Sequence, residues 1–321
     1  MRPMHETVIL HNPGSRRAAR AARDLRVLLS SAGTAAGGIF RWVAIRDLGG
    51  LEAIPERMIV VGGDGTINAA VTWLESRGRS CPLAVIPAGT GNNLARGLGI
   101  PLRLEEALEI ALHGREIRSL DAVLYREEDG SGRTVAGKRW MVQMAALGFP
   151  ADMAGVYDRL RRNAAFRFFA APLGTYVYRI IGLAGLMAQR RLEKSGKNVL
   201  QVRLDLPDEH IQVPALALLF CNAKSLGGNF LPGPLARVDD GLLDICLIRA
   251  GTGMGNLKLF RRVAKGTHLS LDSAVIYRQT RGPVEVELSA PRRLLADGDL
   301  WVESRRYRFE VLPGRFQVVV A

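Results

Sequence analysis

Through the first third of the chain, short apolar runs alternate with segments whose apolar residues recur at helical spacing. Residues 8–10, 39–45, 58–61 and 83–86 have the length and character of strands, whereas 16–29, 67–74 and 104–112 carry a helical pattern. Strands joined by crossover helices make a mostly parallel α/β sheet, and the loops that do chemistry in such a sheet follow the C-terminal ends of the strands. After about Asp121 the pattern changes. A Gly/Asp-rich turn at 128–132 is followed by strand-like runs at 140–147, 199–204, 215–220, 242–248, 274–277, 284–288 and 316–320, which predict a separate β-rich half. Residues 152–194 stand apart from both patterns. There Arg159, Arg161, Arg162 and Arg167 alternate with Phe166, Phe168, Phe169, Tyr176 and Tyr178, and the stretch reads as helical and amphipathic.

Composition narrows the classes. With 321 residues, 48% apolar and 23% charged, the chain has length for about two globular domains. Low-complexity and solenoid organisations find no support in it. Lys and Arg number 44 against 31 Asp and Glu, a net charge of +13 that favours anionic partners: nucleotide phosphates, nucleic acid or an acidic membrane surface. Cys81, Cys221 and Cys246 show no C-x-x-C spacing and the five histidines no H-E-x-x-H, so neither a disulfide framework nor a zinc site is expected. The N-terminal apolar run is too short for a signal-peptide core, and residues 176–188 contain Arg179 and fall short of the roughly 20 residues a bilayer span needs. A cytoplasmic protein is expected, with peripheral contact at the inner membrane face left open.

The sharpest feature is the run 58–68, a buried-type strand that enters Gly62, Gly63, Asp64, Gly65, Thr66, Ile67 and Asn68. Glycines let backbone N–H groups approach a phosphate, the following helix N-terminus favours negative charge, and Asp64 has the chemistry to reach a phosphate-bound Mg²⁺. An ordinary glycine turn is the plainer reading of this run alone. One βα unit later, however, a second strand enters Pro87, Gly89, Thr90, Gly91, Asn92 and Asn93, and the first strand is followed by Asn12, Pro13, Gly14 and Ser15. Three such loops from one parallel sheet would share a rim and form one nucleotide site. No G-x-x-x-x-G-K-[ST] is present, so a P-loop is not the device.

These motifs, with Gly148-Phe149, Asn222, Gly227-Gly228, Asp240-Gly241-Leu242-Leu243-Asp244 and Asp297-Gly298-Asp299, occur in the order in which the sequence resembles the diacylglycerol kinase catalytic family. That family includes bacterial lipid kinases, sphingosine kinases and ceramide kinases. The resemblance runs nearly end to end. It implies an α/β fold with a phosphofructokinase- and NAD-kinase-like nucleotide-binding domain (1–122), then a β-sandwich lipid-substrate domain (123–307), with a final strand (about 308–321) returning to the first. It implies an ATP- and Mg²⁺-dependent kinase acting on a hydroxyl of diacylglycerol or a related lipid. ATP would lie on Asn12, Pro13, Gly14, Ser15 and Arg16, on residues 62–68, and on Gly89, Thr90, Gly91 and Asn92. Mg²⁺ would be held by Asp240 with the Arg237 and Leu242 carbonyls. The family's Asp-Gly-Glu becomes Asp297-Gly298-Asp299, both acids being candidates for the base, and Asp64 joins them as a catalytic candidate. The chain departs from the pattern at Arg16 for glycine, Ala69 for glutamate, Asn93 for aspartate and Asp299 for glutamate.

Two other functions share parts of this pattern: a nucleotide-binding regulatory module that has lost transfer, suggested by Ala69 and Asn93, and an NAD kinase, which shares the Gly-Gly-Asp-Gly core. The expected partners are a lipid substrate at a membrane surface and an anionic membrane, not nucleic acid; a homodimer stays open. Gly251-x-Gly253-x-Gly255 resembles a dinucleotide fingerprint, but Asn256 stands where its third glycine belongs. His268 reads as a hydrogen-bonded structural histidine, and Asp239-Asp240-Gly241 has the alternative of being only a turn.

Overall fold

A computed structural model of the chain describes residues 6–31, 39–129, 133–134, 137–163, 166, 180–185, 199–226, 230–251 and 253–321. Arg167, Phe168, Phe169, Tyr176 and Tyr178 of the basic aromatic stretch, and Gly227-Gly228, lie outside these residues. The chain divides into two compact units, residues 1–121 with 313–321, and residues 122–312.

The first unit contains β1 (Glu6–His11), α1 (Arg16–Ser31), β2 (Ile39–Ala44), β3 (Arg57–Gly62), α2 (Asp64–Ser76), β4 (Leu83–Pro87), α3 (Asn93–Gly97) and α4 (Leu104–His113). Two long strands cross the division in sequence: β5 (Glu116–Glu128) and β13 (Asp299–Val320). The sheet order is the tail of β13, then β4, β3, β1 and β2, with every pairing parallel. Residues 8–10 and 58–61 are entirely buried, as continuous apolar runs must be in strands covered on both faces. Helix α1 turns Ala18, Ala22 and Leu25 inward at helical spacing and leaves Arg16, Arg20 and Arg23 in solvent. Because β2 lies on one side of β1 and β3 on the other, the chain reverses direction across the sheet between β1 and β3. That switch point is where open α/β sheets bind ligands. The tail of β13 pairs Val318 with Leu83 and is held by the Asp121 carboxylate, which accepts from Gly314 N (2.8 Å), and by Arg315, whose Nη2 reaches Glu75 Oε2 at 2.7 Å.

The second unit adds β6 (Arg139–Met141), β7 (Met144–Gly148), α5 (Phe149–Leu160), β8 (Leu200–Asp205), β9 (His210–Cys221), β10 (Leu243–Arg249), α6 (Gly253–Ala264), β11 (Val275–Thr280) and β12 (Val284–Ala296). Its described strand pairings are antiparallel. The long strands β9 and β12 pair with β8 through their first halves and with β7 through their second, and β12 changes register against β13 on the way. Such irregularities let one strand serve two packed layers. Between the layers, Phe220 stacks on Phe309 with centroids 3.9 Å apart and Tyr125 stacks on the same ring at 6.0 Å. Leu259 and Val263 of α6 cover the other face over Met144, Leu219 and Cys246.

Two strand expectations are revised, while the readings of the Gly251 loop and of His268 stand. The run 140–147 is two strands, β6 and β7, interrupted at Val142-Gln143, whose N–H groups serve a carboxylate instead of a ladder. The runs 215–220 and 284–288 belong to strands about twice as long. Gly251 to Asn256 follows a strand antiparallel to both neighbours, and Asn256 Nδ2 donates to Gly251 O (3.0 Å), so the βαβ context of a dinucleotide loop is missing. His268, fully buried with Nε2 3.2 Å from Pro232 O, is structural, and burial lowers its pKa. Replacing Phe309, which is 0% exposed, by alanine removes the ring shared by both stacks. A loss of about 3–5 kcal/mol is expected, read as a lowered thermal midpoint of the second unit's transition; an unchanged midpoint would place the core elsewhere.

Candidate functional site

The three loops of the first unit leave β1, β3 and β4 at the same sheet edge. In the first, the Asn12 side chain accepts from Gly14 N (3.0 Å), closing a turn, and Ser15 Oγ caps α1 by accepting from Ala18 N (3.4 Å). Pro13, Gly14 and Arg16 are exposed. In the second and third, the backbones come so close that a Cβ on Gly63 would lie 2.7 Å from the Gly89 Cα, so neither position has room for a side chain. Gly62 is equally constrained, by the buried Thr66 side chain. Ala88 N donates to Gly62 O (2.8 Å), and Asn92, in the left-handed region at φ 49°, closes its own loop by accepting from Gly89 N (2.8 Å) and donating to Gly89 O (3.2 Å). Asparagine is one of the few side chains suited to that conformation.

Asp64 sits in the first turn of α2 and reaches across to α3. One carboxylate oxygen accepts from Asn93 N (3.1 Å) and Asn93 Nδ2 (3.3 Å), the other from Leu94 N (3.2 Å). The amide at position 93 is therefore a donor to Asp64, a bond that aspartate at 93 would replace with charge repulsion. Helix α1 is capped by Ser15 and α3 by Asp64, while Gly63 gives α2 no side-chain cap. Gly63 thus offers α2 no side-chain cap, and Thr66 N and Ile67 N bond to its carbonyl (2.9 and 3.2 Å), in a loop flanked by the exposed Arg16 and by Arg17, which donates to Gly89 O at 3.5 Å. Thr90 and Gly65 are exposed on this rim, Ile67 is buried against the sheet, and Asn68 accepts from Thr72 Oγ1 (3.4 Å).

In the second unit the two acids of Asp297-Gly298-Asp299 have different surroundings. Asp297, at φ 46°, accepts from Val142 N (2.7 Å) through one carboxylate oxygen and from Gln143 N and Met144 N (both 3.0 Å) through the other, while its own N–H donates to Met144 O. Asn222 completes the loop by donating from Nδ2 to Val142 O (2.8 Å). Asp299 is open to solvent beside the end of α5; partial desolvation raises its pKa, the Arg161 charge lowers it and Asp158 raises it. Asp240 accepts from Leu242 N (3.0 Å), and Arg237 pairs with Asp239. Nearby, the fully buried Asp244 takes bonds from Tyr277 Oη (2.6 Å) and Gln279 Nε2 (3.1 Å) through one oxygen, while the other is buried without a hydrogen-bond partner among the described residues. Burial, aided by the Asp240 charge, outweighs the pull of these two bonds and leaves Asp244 raised to about 6. Two carboxylates that repel, one with an orphaned oxygen, are a donor set suited to a hard cation. No group of three or more His, Cys, Asp or Glu is placed for a metal among the described residues, so any cation here depends on carbonyls as well.

Sequence reasoning missed Arg17, the Asp158–Arg161 neighbours of Asp299, and the orphaned oxygen of Asp244. Arg17 carried no signal beyond general basicity, Asp158 and Arg161 lay in the amphipathic stretch with nothing local to mark Asp299 as their neighbour, and Asp244 lay inside the Asp240–Asp244 motif.

A glycine-loop α/β unit joined to an antiparallel β unit is an architecture found among solved diacylglycerol kinases. The crystal structure of a diacylglycerol kinase from Bacillus anthracis strain Sterne superposes with a TM-score of 0.65 at 16% identity, covering 100% of this chain and 98% of that one. A second structure from that strain gives 0.69 at 19%, covering 99% and 97%. Residues 7–124 match the model of the diacylglycerol kinase catalytic domain, and 185–320 that of the YegS C-terminal NAD kinase beta sandwich-like domain. The diacylglycerol kinase of Mycobacterium tuberculosis is 31% identical over 249 residues, 76% of this chain and 70% of that protein. A Pseudomonas aeruginosa protein named probable lipid kinase YegS-like is 32% identical over 267 residues, 81% and 75% of the two chains. The chain belongs to this family of diacylglycerol kinases and YegS-like lipid kinases.

Gly63→Ala places a methyl group against backbone that has no alternative position. It is expected to weaken nucleotide binding at least about tenfold with a smaller effect on overall melting, because the clash lies in a loop and not in the core. Equal nucleotide titration curves for variant and parent would show that the loop contact is not part of the site. Asp297→Ala strands three N–H groups of residues that are 5% exposed or less. A loss of about 3 kcal/mol or more is expected in denaturant unfolding, and a variant as stable as the parent would contradict the anchoring role.

Proposed function

We propose that the protein is an ATP- and Mg²⁺-dependent lipid kinase that transfers the γ-phosphoryl group to a hydroxyl of diacylglycerol or a closely related lipid. The observation that carries this reading is the loop rim of the first unit, where the helix N-termini of α1 and α3 are capped by side chains and that of α2 is not. An uncapped helix N-terminus behind a glycine turn favours a phosphate group. Arg16 and Arg17 strengthen the argument. Cations in the first turn of a helix oppose its dipole, and an anion at the rim would offset that cost.

On this reading the loops at 12–16, 62–68 and 89–92 orient the triphosphate, with backbone groups held by the Gly63–Gly89 contact instead of by flexible side chains. Mg²⁺, when bound, offsets phosphate charge, and Asp240 with the Arg237 and Leu242 carbonyls is the set assigned to hold one ion, Asp244 lying beside it. Asp299 takes the proton from the acceptor hydroxyl. Asp297 is the less suitable base because both of its oxygens already accept backbone N–H bonds, so its part is to position the turn that carries Asp299. Arg161, beside Asp299, favours the ionised carboxylate and opposes the rise that partial desolvation causes.

The NAD kinase alternative is less well supported, since the matching catalytic-domain model is that of diacylglycerol kinases. Purified protein incubated with Mg²⁺–ATP and a panel of lipids in mixed micelles, with NAD as a control acceptor, is expected to phosphorylate a diacylglycerol-like lipid and not NAD. ATP binding without transfer to any lipid would favour the regulatory module. The pH profile supplies a second check. A base must be deprotonated to act, so a raised Asp299 pKa moves the acid limb of kcat/KM to a pH above the ordinary aspartate value of 3.8. A rate that stays level down to about that value would remove Asp299 from the reaction.

A further inference from the structure

We propose that the second unit carries a bilayer-docking surface, made by the basic face of α6, the helical turn at 180–185 and the last turn of α5, and that its partner is the anionic surface of a lipid membrane. Lys258, Arg261 and Lys265 are exposed along one face of α6, with Arg262 half-exposed beside them, while Asn256, Leu259 and Val263 are buried on the opposite face. The sequence has no acidic residue between Asp244 and Asp272, so α6 has none of the i,i+4 partners that usually accompany basic residues on a solvated helix. Within the described residues these four side chains form no ion pair; Arg262 Nη1 donates to Ser270 Oγ at 3.1 Å.

The flank of α6 is apolar and leads to a second basic element. Phe260 packs on Phe230 with centroids 5.2 Å apart, and a Cβ at Gly182 would lie 3.7 Å from the Phe260 ring, so the 180–185 turn rests against α6 through a glycine. At its other end Gly185 meets Met153 and Phe149 of α5. The turn thus joins the two helices while exposing Ile180 (53%) and Leu183 (40%), and α5 ends on exposed Leu160 with Arg159, Arg161 and Arg162 around it. Aliphatic side chains in solvent, bordered by the acid-free basic face of α6 and by an α5 end where Arg161 pairs with Asp158 at 2.9 Å while Arg159 and Arg162 remain exposed, suit an interface where apolar groups enter the headgroup layer and cations meet anionic lipid. Nucleic acid makes less use of them: the aliphatic groups find no counterpart on a phosphate backbone, and no exposed aromatic ring offers a base a stacking platform among these described residues. A second copy would bring like charges together.

The surface ends at Asp299, whose carboxyl feels both Arg161 and Asp158 of the α5 terminus. In this respect the inference rests on the lipid-kinase reading, because docking would present a membrane-embedded hydroxyl to the residue assigned as its base.

The test compares the full chain with Lys258→Glu/Arg261→Glu/Lys265→Glu and with Ile180→Ser/Leu183→Ser, all three first matched for melting temperature. Co-sedimentation is measured with phosphatidylcholine vesicles with and without phosphatidylglycerol, and lipid phosphorylation is measured both in those vesicles and in detergent micelles. The parent should bind the anionic vesicles in a salt-sensitive way, and the charge-reversed variant at least about tenfold less, given the usual contribution of each basic residue near such a surface. The apolar variant should retain salt-sensitive attraction but bind more weakly. Both variants should lose phosphorylation in vesicles and keep it in micelles. Vesicle binding that is the same in parent and charge-reversed protein overturns the proposal, as does preferential binding of duplex nucleic acid through the same lysines and arginine. A parent that binds vesicles through these residues yet phosphorylates no lipid in either medium would uphold the docking surface and count against the kinase reading alone.

Discussion

The backbone contact between Gly63 and Gly89 is the constraint on which the candidate nucleotide site depends. Two loops from neighbouring parallel strands meet with no side chain between them, and each further feature follows from that approach. Asn92 must adopt a left-handed conformation to turn the third loop away, and Asp64 is left within reach of the α3 N-terminus, where it satisfies two backbone donors. The cap on α3 is thus supplied from another helix, whereas Gly63 has no side chain with which to cap α2. A loop that binds phosphate through backbone groups gains from such rigidity, since little order has to be imposed when the ligand arrives.

The second unit solves a similar problem with a carboxylate. Asp297 collects three consecutive N–H groups from the break between β6 and β7, and that break converts one apolar run into two strands. The anchored turn then carries Asp299 outward beside α5. Two acids that are equivalent in sequence therefore divide into a positioning residue and a candidate base, according to what their oxygens already hold. The departure at Asn93 has a comparable local reason, for its amide donates to Asp64 where a carboxylate would require a cation or a proton to sit there.

Much of this was legible in the sequence. Strands β1, β3 and β4 could be read because each holds a short, wholly apolar run leading into a glycine or proline turn, and the helices because their alanines and leucines recur at the right spacing. The extents of β9 and β12 could not, since their first halves alternate exposed and buried residues under different partners from their second halves. Nor could the interruption at Val142-Gln143, where two apolar-flanked residues leave the ladder for a partner some 155 positions away. The loop motifs announced where nucleotide chemistry should be, whereas the division of labour between Asp297 and Asp299 depends on long-range hydrogen bonds that no local pattern encodes.

The central claim is that a lipid hydroxyl is activated by Asp299 and phosphorylated from ATP held on the glycine loops. Single-turnover transfer of labelled γ-phosphate to diacylglycerol in micelles, measured for the parent and for Asp299→Asn with ATP binding followed on the same samples, addresses it most directly. The account predicts unchanged ATP affinity and transfer slowed by about 10²–10⁴-fold in the variant. Transfer at the parental rate, or a loss of ATP binding equal to the loss of rate, would contradict it.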